Sequence, residues 1–304
     1  GLIMGYPPEV FLTEVGPRDG LQNEMTFVPT AKKVALINAL SASGLQFIEA
    51  TSFVSARAIP QLADSEAVIA QISKTDKVNF SALIPNAQGM RRAISAGIQH
   101  IALFTAASDT FNQHNIQCST AESMLRFKPV LDLAKKHHCR VRAYISCALG
   151  CPYEGSITPH KVLKVCEDLL DLGIDHICLG DTIGVGTPKQ TKALLQAVSQ
   201  IMPCKNIGVH FHDTYGQAIA NIVTALELDV RHIDSAVAGL GGCPYARGAS
   251  GNVATEDVLY LMHGLGVRTG VDIYQVVQAG QMICAVIGRK NQSKVATALL
   301  ANGG

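Results

Sequence analysis

The sequence contains no tryptophan and little charge of either sign. Aromatic residues make up 5% of its 304 residues, charged residues 16%, and the formal net charge is +1. Nucleic-acid-binding surfaces carry basic patches and aromatic side chains on which bases stack, so this composition predicts no nucleic-acid partner. The longest apolar stretches, such as residues 98–107, contain polar residues and fall short of the roughly 20 residues that cross a bilayer. We therefore expect a soluble protein without a membrane partner.

The nine cysteines do not form a disulfide pattern. Their number is odd, they are scattered through apolar runs, and a chain of this length buries a core without covalent staples. Cys147 and Cys151 are close in sequence, but no second pair follows at the spacing of a structural zinc site, so we expect buried thiols. No signal peptide or Arg-rich leader precedes the first apolar run. These features predict a reducing compartment, either the bacterial cytoplasm or, for a processed chain, the mitochondrial matrix.

Apolar residues are abundant in this chain. They make up 48% of it, while the charged share of 16% lies below the typical value of about 25%. This balance indicates a large buried core and an apolar subunit interface. We therefore expect an oligomer, in its simplest form a homodimer.

Short β-rich apolar runs alternate along the chain with stretches of helical periodicity. Helical examples are residues 32–40, 121–136 and 160–172. Strands that alternate with helices pair in parallel through right-handed crossovers. The eight strand-like runs are residues 10–15, 46–50, 78–84, 100–105, 140–146, 176–180, 208–212 and 231–237.

This repeated pattern predicts an α/β protein, a (β/α)₈ TIM barrel. The rival is a doubly wound open sheet, but its dinucleotide-binding form opens with a glycine-rich turn, and the first strand here ends in GPRDG at residues 16–20. Two more helical patterns, at 254–265 and 271–287, predict additional C-terminal helices. Because no Pro/Ser-rich linker interrupts the chain, we expect one catalytic domain over residues 1–304, with a substrate loop and helical extension at about 239–300.

Barrel enzymes carry their chemistry at the C-terminal ends of the strands. In this sequence, ionisable, thiol and amide side chains occur at or after the ends of six predicted strands. We expect them to converge at one mouth of the barrel. In chain order they are Arg18, Asp19, Glu49, Arg142, Tyr144, Asp181, His210, His212, Cys243 and Asn252.

Two of these candidates, His210 and His212, flank Phe211 on the seventh predicted strand. Since side chains alternate faces along a strand, both imidazoles point to one side and Phe211 to the other. Together with the Asp19 carboxylate they form a mixed nitrogen and oxygen set of the kind that holds a divalent metal. The alternative is a pair of histidines that are separately hydrogen-bonded in the core.

Four other candidates have a structural interpretation beside the functional one. Asn252 precedes a helical pattern, so it either caps that helix or ligates the metal. Asp181 is a cap for the next helix or a catalytic acid, and Glu49 is a surface carboxylate or a charged partner of Arg18. Cys243, on a glycine-rich loop, is an inert thiol or part of a mobile lid over the site.

Five segments of the chain form a longer pattern. They are EVGPRDGLQNE at 14–24, ATSFV at 50–54, SCALGCPY at 146–153, GDTIG at 180–184 and VAGLGGCPY at 237–245. In content and order they resemble the 3-hydroxy-3-methylglutaryl-CoA lyase family, and the resemblance covers the chain from about Val10 to Lys294. The Arg-Asp-Gly element alone occurs in a wider set of aldolase-like barrels, whereas the cysteine loop narrows the resemblance to these lyases.

The resemblance implies a lyase that cleaves an acyl-CoA, 3-hydroxy-3-methylglutaryl-CoA, to acetyl-CoA and acetoacetate in leucine degradation. It implies one Mg²⁺ or Mn²⁺ ion per subunit, held by Asp19, His210, His212 and Asn252. The catalytic residues that it implies are Arg18, Glu49, Asp181, His210 and Cys243. Substrate binding would fall to Arg18, Gln22, Arg142 and Tyr144.

Three alternatives remain open at this point. A lyase of the same type could act on a longer 3-hydroxy-3-substituted glutaryl-CoA. A condensing synthase that uses acetyl-CoA is a second alternative, but such enzymes usually append a second domain, for which the chain after the eighth strand is too short. A non-catalytic metal-binding scaffold is the third, and it would leave Arg18 and the cysteine loop without a role.

Overall fold

The computed structural model describes residues 5–303, in which eight parallel strands form a closed barrel. Each strand pairs with the next in sequence, and β8 pairs with β1 to close the barrel. The predicted (β/α)₈ architecture is confirmed, and each predicted strand overlaps an observed one. The strands are β1 (Phe11–Glu14), β2 (Phe47–Ser52), β3 (Asn79–Leu83), β4 (His100–Ala106), β5 (Arg140–Ser146), β6 (Ile177–Asp181), β7 (Ile207–Phe211) and β8 (His232–Ser235).

Helices follow every strand and surround the barrel. In residues 5–303, no helix combines the length and the apolar character of a membrane span. The helices between β1 and β8 are α1 (Thr30–Ala42), α2 (Ser65–Gln71), α3 (Ala87–Ser95), α4 (Asp109–Ile116), α5 (Thr120–Lys136), α6 (Pro159–Asp171), α7 (Pro188–Val198) and α8 (Ala218–Glu227). After β8 come α9 (Thr255–Leu265), α10 (Ile273–Ile287) and α11 (Lys294–Ala301). The additional C-terminal helices are confirmed, although three are present where two were expected.

The longest helix, α5, illustrates how local sequence sets these elements. Ser119 accepts the backbone N–H of Glu122, and the Glu122 side chain accepts the backbone N–H of Ser119, which forms a capping box at the start of α5. Met124, Phe127 and Val130 recur at helical spacing and are buried against the barrel. The same combination of a capped start and one apolar face holds the helical layer on the barrel.

Two boundaries differ from the sequence-based expectation. Glu49 is the third residue of β2 and not its end, because the strand continues past an irregularity in register between Glu49 and Thr51. His212 lies one residue beyond β7, where it forms an isolated antiparallel bridge with Asn252. Glu49 therefore lies deeper in the barrel than the end of its strand, whereas His212 lies at the mouth beyond the end of β7.

The cysteines are free thiols, as the sequence predicted. None of the nine, all of which lie within residues 5–303, forms a disulfide, and seven of them are buried. Cys147 and Cys151 lie in a small apolar cluster with Phe111. Their environment is that of core residues and not of a structural zinc site.

Glu14, at the end of β1, joins the first strand to the chain that follows the last. Its carboxylate accepts hydrogen bonds from the backbone N–H of Gly16 at 2.9 Å and of Val237 at 2.8 Å, and from the Thr255 hydroxyl at 2.7 Å. The side chain is fully buried. Side-chain hydrogen bonds therefore hold the seam between β1 and β8, in addition to its ladder of backbone hydrogen bonds.

A second buried carboxylate, Glu256, holds the turn that follows β8. Both of its oxygens accept the backbone N–H of Ala238, at 2.9 and 3.0 Å. Ala238 has a φ of 57°, in the left-handed region that non-glycine residues rarely adopt. Glu14 and Glu256 together fix this turn, from which the loop carrying Cys243 departs.

Candidate active site

The four predicted metal ligands converge at the C-terminal mouth of the barrel. One oxygen of Asp19, Oδ2, lies 2.9 Å from Asn252 Nδ2, 3.4 Å from His210 Nε2 and 4.0 Å from His212 Nε2. The ligand atoms of Asp19, His210 and His212 all lie within 4.8 Å of one another. This spacing is compact enough for a single ion, so the residues form a candidate metal centre.

Local geometry explains why these residues meet. Asp19 belongs to a tight π-helical turn, Gly16–Gly20, that follows β1. A Cβ on Gly20 would lie 2.7 Å from the Cβ of Leu240, so only glycine allows the turn to approach the loop after β8. His210 and His212 point to the same side with ring centroids 5.6 Å apart, while Phe211 is buried on the other face. The predicted alternation is present.

Asn252 does not cap a helix. Helix α9 begins at Thr255, its N-cap residue is Ala254, and no side chain caps it. The Asn252 amide instead reaches Asp19 Oδ2 and the Leu240 carbonyl oxygen, at 2.9 and 3.2 Å. The capping interpretation is wrong because the helix starts too far along the chain, and the amide is left free to join the metal centre.

The charge states of the two histidines differ. Burial and the neighbouring charge of His210 lower the pKa of His212 to about 4, so His212 is neutral and keeps a lone pair for a cation. Its buried Nδ1 has no hydrogen-bond partner within residues 5–303. Burial also lowers the pKa of His210, but hydrogen bonds with Asp19 and Asp234 outweigh this and raise it to about 9. His210 thus holds a proton that a bound cation would displace, and His212 has a ring nitrogen without a hydrogen-bond partner. Both features fit a site that a divalent cation completes.

Arg18 borders the metal centre and is held rigidly. Its Nε donates to Glu49 Oε1 at 2.5 Å and its Nη1 to Asp19 Oδ1 at 3.1 Å. Burial alone would lower the pKa of Arg18, but Glu49 and Asp19 raise it well above its usual value, so the guanidinium stays charged. Glu49 is fully buried, which rules out the surface-carboxylate interpretation. The sequence-based pairing of Arg18 with Glu49 is present.

A second arginine, Arg142, lies below this pair in the barrel interior. Tyr144 donates to Glu49 Oε2 at 2.7 Å, and Arg142 contacts both Tyr144 and Glu49. Arg142 Nη1 also donates to Asp234 Oδ1 at 2.9 Å. The predicted residues Glu49, Arg142 and Tyr144 therefore form one hydrogen-bonded network.

Asp234 on β8 belongs to the site but was missed by the sequence analysis. His210 Nδ1 lies 2.8 Å from Asp234 Oδ2, and this hydrogen bond points Nε2 towards Asp19. Asp234 is 2% exposed, and its register partner on β7 is His210. Because side chains alternate faces along a strand, the sequence places Asp234 on the same face as His232. The signal available in the sequence was therefore an ionisable residue within β8, between Ile233 and Ser235.

Asp181 is the one predicted acid that is not brought into this cluster. Its register partner is Phe211, on the face of β7 opposite to His210. Its carboxylate accepts the backbone N–H groups of Val185 at 3.2 Å and Gly186 at 2.9 Å. Burial raises the pKa of Asp181 to about 6. It holds the turn after β6 and does not cap α7, whose N-cap is Thr187.

Comparisons with known proteins agree with this geometry. The sequence model of the HMGL-like family matches residues 9–283. The chain belongs to this family. It is 54% identical to the cytoplasmic 3-hydroxy-3-methylglutaryl-CoA lyase of Mus musculus, over 97% of this chain and 86% of that protein.

Two further comparisons are with Pseudomonas aeruginosa. A 3-hydroxy-3-isohexenylglutaryl-CoA/hydroxy-methylglutaryl-CoA lyase is 52% identical, over 98% of this chain and 99% of the relative. A crystal structure of a hydroxymethylglutaryl-CoA lyase superposes with a TM-score of 0.97 at 52% identity, covering 98% of this chain and all of that one (100%). Fold and sequence therefore agree over nearly the whole chain.

Within this HMGL-like chain, the loop after β8 forms the rim of the site. Bridges between Gly242 and Ser250 and between His212 and Asn252 close its base. Gly241 has a φ of 105°, and a Cβ there would lie 2.9 Å from Asn252 Nδ2, so this position requires glycine. Cys243 is buried on this loop at 6% exposure. The cysteine loop is therefore anchored directly to the metal centre.

Aromatic side chains connect this loop to the neighbouring loops. Tyr245 packs on Tyr153 and Phe111, with ring centroids 5.8 and 6.2 Å apart. The two tyrosines are half-exposed and Phe111 is buried. Gln22, after the first strand, has a buried Oε1 with no hydrogen-bond partner in residues 5–303. The mouth thus offers an apolar rim and an unsatisfied amide oxygen.

Proposed function

We propose that this protein is a divalent-cation-dependent lyase that cleaves 3-hydroxy-3-methylglutaryl-CoA to acetyl-CoA and acetoacetate. The observation that carries the proposal is the convergence of Asn252, His210 and His212 on one oxygen of Asp19, directly beside the buried Arg18. Membership of the HMGL-like family and 52% identity to a relative named for this reaction support the choice of substrate.

Asp19, His210, His212 and Asn252 are the residues that would hold the cation. Oxygen and imidazole donors suit Mg²⁺ or Mn²⁺, which we propose as the cofactor. When bound, such an ion chelates carboxylate and hydroxyl oxygens and lowers the pKa of the hydroxyl. The remaining chemistry belongs to the side chains around it.

Arg18 is proposed to stabilise the oxygen of the acetyl-CoA enolate. Cleavage of the C–C bond leaves negative charge on the thioester fragment, and this charge is absent from the substrate. The Arg18 guanidinium is fixed by Glu49 before the reaction begins, so no reorganisation is needed when the charge appears. Glu49 is thus a positioning residue, and Gln22, Arg142 and Tyr144 support the substrate around it.

Of the two expected acceptors of the hydroxyl proton, His210 is better placed than Asp181. His210 Nε2 faces the metal centre, whereas the Asp181 carboxylate binds the turn behind β6. Ligation and proton transfer would use the same lone pair of His210, so substitution of His210 does not separate the two roles. Asp234, which orients that imidazole through Nδ1, offers the cleaner test.

Cys243 is proposed to donate a proton to the acetyl-CoA carbanion or to relay one. The cleavage needs no acyl-enzyme, and thiols are stronger acids than alcohols. The glycines around Cys243 allow its loop to close over the substrate and to exclude water. In this role the S–H bond breaks, a C–H bond forms, and solvent reprotonates the thiolate.

A longer substituent at C3 is the second candidate substrate. The Pseudomonas relative is named for an isohexenyl compound as well as for the methyl compound, and the aromatic rim of Tyr153, Tyr245 and Phe111 is an apolar surface suited to such a group.

We propose an acyl-CoA as the partner and a homodimer as the assembly. The cytoplasmic or mitochondrial-matrix location and the place in leucine degradation remain expectations.

The test is an assay of acetyl-CoA release by the purified, metal-loaded protein from the methyl compound and from isohexenyl and hexyl analogues. We expect release from the methyl compound without any added 2-oxo acid. Consumption of acetyl-CoA only in the presence of a 2-oxo acid would instead identify a condensing synthase. Absence of both reactions, with metal bound, would support the non-catalytic scaffold.

A further inference from the structure

A cavity of about 660 Å³ lies at the N-terminal end of the barrel, opposite the candidate active site. It is lined by residues at or near the starts of the strands, among them His100, Arg140, His176 and His232. Arg142 lies between this cavity and the active-site network, because its guanidinium also binds Asp234. Neither the HMGL-like family assignment nor the proposed reaction gives this cavity a role.

Small side chains explain why the space exists. The interior of a TIM barrel is usually filled by layers of branched apolar residues. Here the lining positions include Thr13, Ser81 and Gly208, which leave the layer incomplete. A Cβ on Gly208 would meet Cys178 Sγ at 3.4 Å and His232 Cβ at 3.6 Å, ordinary contact distances, so glycine is not required there by packing. The cavity is a property of this sequence and not a geometric necessity of the barrel.

The cavity lining brings two arginines together with three histidines. Arg140 forms no ion pair with any residue that the structure describes, whereas Arg142 is paired with Asp234 and Glu49. Asp175 is the only acidic residue in the lining. Burial, and then the charge of Arg140, lower the pKa of His100. The exposed guanidinium of Arg140 and the surrounding imidazole and amide groups offer several hydrogen-bond donors in this lining.

We propose that this cavity binds a small anion bearing carboxylate or phosphoryl groups, with Arg140 as its main charged contact. Arginine presents a planar array of donors that matches both kinds of oxyanion. His100, His176 and His232 surround the anion as further donors, and Asn79 and Asn206 contribute amides. The proposal goes beyond the lyase activity and does not depend on it.

A metal ion is a poorer occupant of the same space. Among residues 5–303, the compact groups of metal-ligating side chains are those around Asp19 and Asp234, and the three cavity histidines form no such group. The unpaired Arg140 would also repel a cation. The chemistry of the lining therefore selects a negative ligand.

Isothermal titration of the metal-loaded protein with inorganic phosphate and, separately, with succinate tests the proposal and distinguishes the two oxyanion classes. Arg18 in the active site also attracts anions, so the measured quantity is the difference between the wild type and cavity variants. We expect saturable binding of at least one anion and a loss of roughly tenfold or more in affinity in Arg140→Gln, since the charged hydrogen-bond donors of the guanidinium are removed. His176→Gln should weaken binding less.

Arg231→Gln is the matched control. Arg231 lies at the same end of the barrel, next to His232, but pairs with Asp229 and does not line the cavity. It should retain the wild-type affinity. Location is read by NMR: we expect the anion to shift the imidazole signals of His176 and His232. Equal affinities of the wild type and Arg140→Gln, no saturable binding of either anion, or shifts confined to His210 and His212 would each overturn the proposal.

Discussion

Two groups of carboxylates in this barrel, one in the interior and one at the rim, are neutralised in different ways. Those of the interior, Asp19, Glu49 and Asp234, are ion-paired with arginine or histidine. Those of the rim, Glu14, Glu256 and Asp181, accept backbone N–H groups of the turns beside them. The interior group faces the space where chemistry is proposed, and the rim group holds the loops that border it.

The two groups consequently differ in ionisation. Burial would raise the pKa of Asp19 and of Asp234, but their cationic partners overcome it and hold both far below the usual range. At the rim, burial prevails and raises the pKa of Glu14 to about 7 and that of Glu256 to about 8. Hydrogen bonds from neutral donors are weaker compensation for a buried charge than an adjacent cation. Asp19 and Asp234 therefore act as negative charges, whereas Glu14 and Glu256 act as hydrogen-bond acceptors.

The largest expected effect concerns the thiol on the loop that the rim supports. Cys243→Ser should bind metal and substrate almost normally but turn over roughly 10³-fold more slowly, because a hydroxyl is a poorer general acid. Steady-state kinetics and metal titration measure the two effects separately. A serine variant with most of its turnover, or an acyl-thioester on Cys243 trapped by rapid quenching and mass spectrometry, would contradict the assignment.

Arg18→Lys tests whether the interior group is a preorganised electrostatic site. The substitution keeps the charge but loses the rigid link to Glu49, so we expect kcat to fall roughly 10²- to 10³-fold while KM changes little. Arg92→Lys, a surface variant whose ion pair with Glu66 is largely exposed, is the control and should leave kcat unchanged. Equal losses in KM and kcat would indicate ground-state positioning instead.

Asp234→Asn should affect both the metal and the fold. The variant removes one of the two carboxylate partners of Arg142 and weakens the orientation of His210, so we expect metal affinity to fall roughly 10- to 100-fold. Breaking a buried ion pair should also lower the free energy of unfolding by about 3 kcal/mol. Calorimetric metal titration and urea denaturation check the two values. Unchanged metal affinity would show that Asp234 has only a structural role.

At the rim, the prediction concerns pH. The folded state retains protons on Glu14 and Glu256 that the unfolded state releases near its pKa of 4.5. Their contribution to stability is therefore complete below this value and is lost as pH rises towards 8, by about 1.4 kcal/mol per pH unit for each group. Asp19 and Asp234 act in the opposite sense, since their pKa values are lowered and their contribution is lost only as pH falls below about 4.

Glu14→Gln isolates one rim carboxyl. The amide oxygen still accepts the backbone N–H groups, and the Thr255 hydroxyl can rotate to accept from the new amide. Between pH 4.5 and about 7, the free energy of unfolding should fall less steeply with pH in this variant, because the contribution of Glu14 to the slope is removed. Glu9→Gln, at a half-exposed carboxylate, is the control and should not alter the slope. An identical slope in Glu14→Gln would show that Glu14 is ionised throughout.

The smallest expected effect belongs to Asp181→Asn. One of the two carboxylate oxygens becomes a donor that faces a backbone N–H, so we expect a loss of about 1–2 kcal/mol in stability with metal affinity unchanged. Any fall in kcat should be an indirect result of the displacement of the turn after β6. A fall of several orders of magnitude without loss of stability would instead assign direct catalysis to Asp181.

The sequence predicted those parts of the molecule that depend on local pattern. Eight strands and the shared face of His210 and His212 followed from periodicity, and family motifs implied Asn252 and Glu49. Asp234 was missed because one acid in a short strand looks like any strand-edge polar residue until the register with β7 is known. Helix α11 was missed because its eight residues bury little apolar surface.

The N-terminal cavity also could not be predicted from the pattern of residues along the sequence. His100 and Arg140 each begin a strand, and a polar residue at a strand start normally reads as a surface residue. Only the closed ring of strands shows that they border one cavity. Pairings between distant strands therefore limit sequence-based inference at both ends of the barrel.

The seam between β1 and β8 has a consequence for biosynthesis. Glu14 is bonded to Val237 and Thr255, 223 and 241 positions later, and Asp19 lies 233 positions before Asn252. Contacts of such sequence separation form late and slowly. A ribosome must therefore release nearly the entire chain before the first-made carboxylates find their partners, and no fragment that ends before the eighth strand can assemble the ion site.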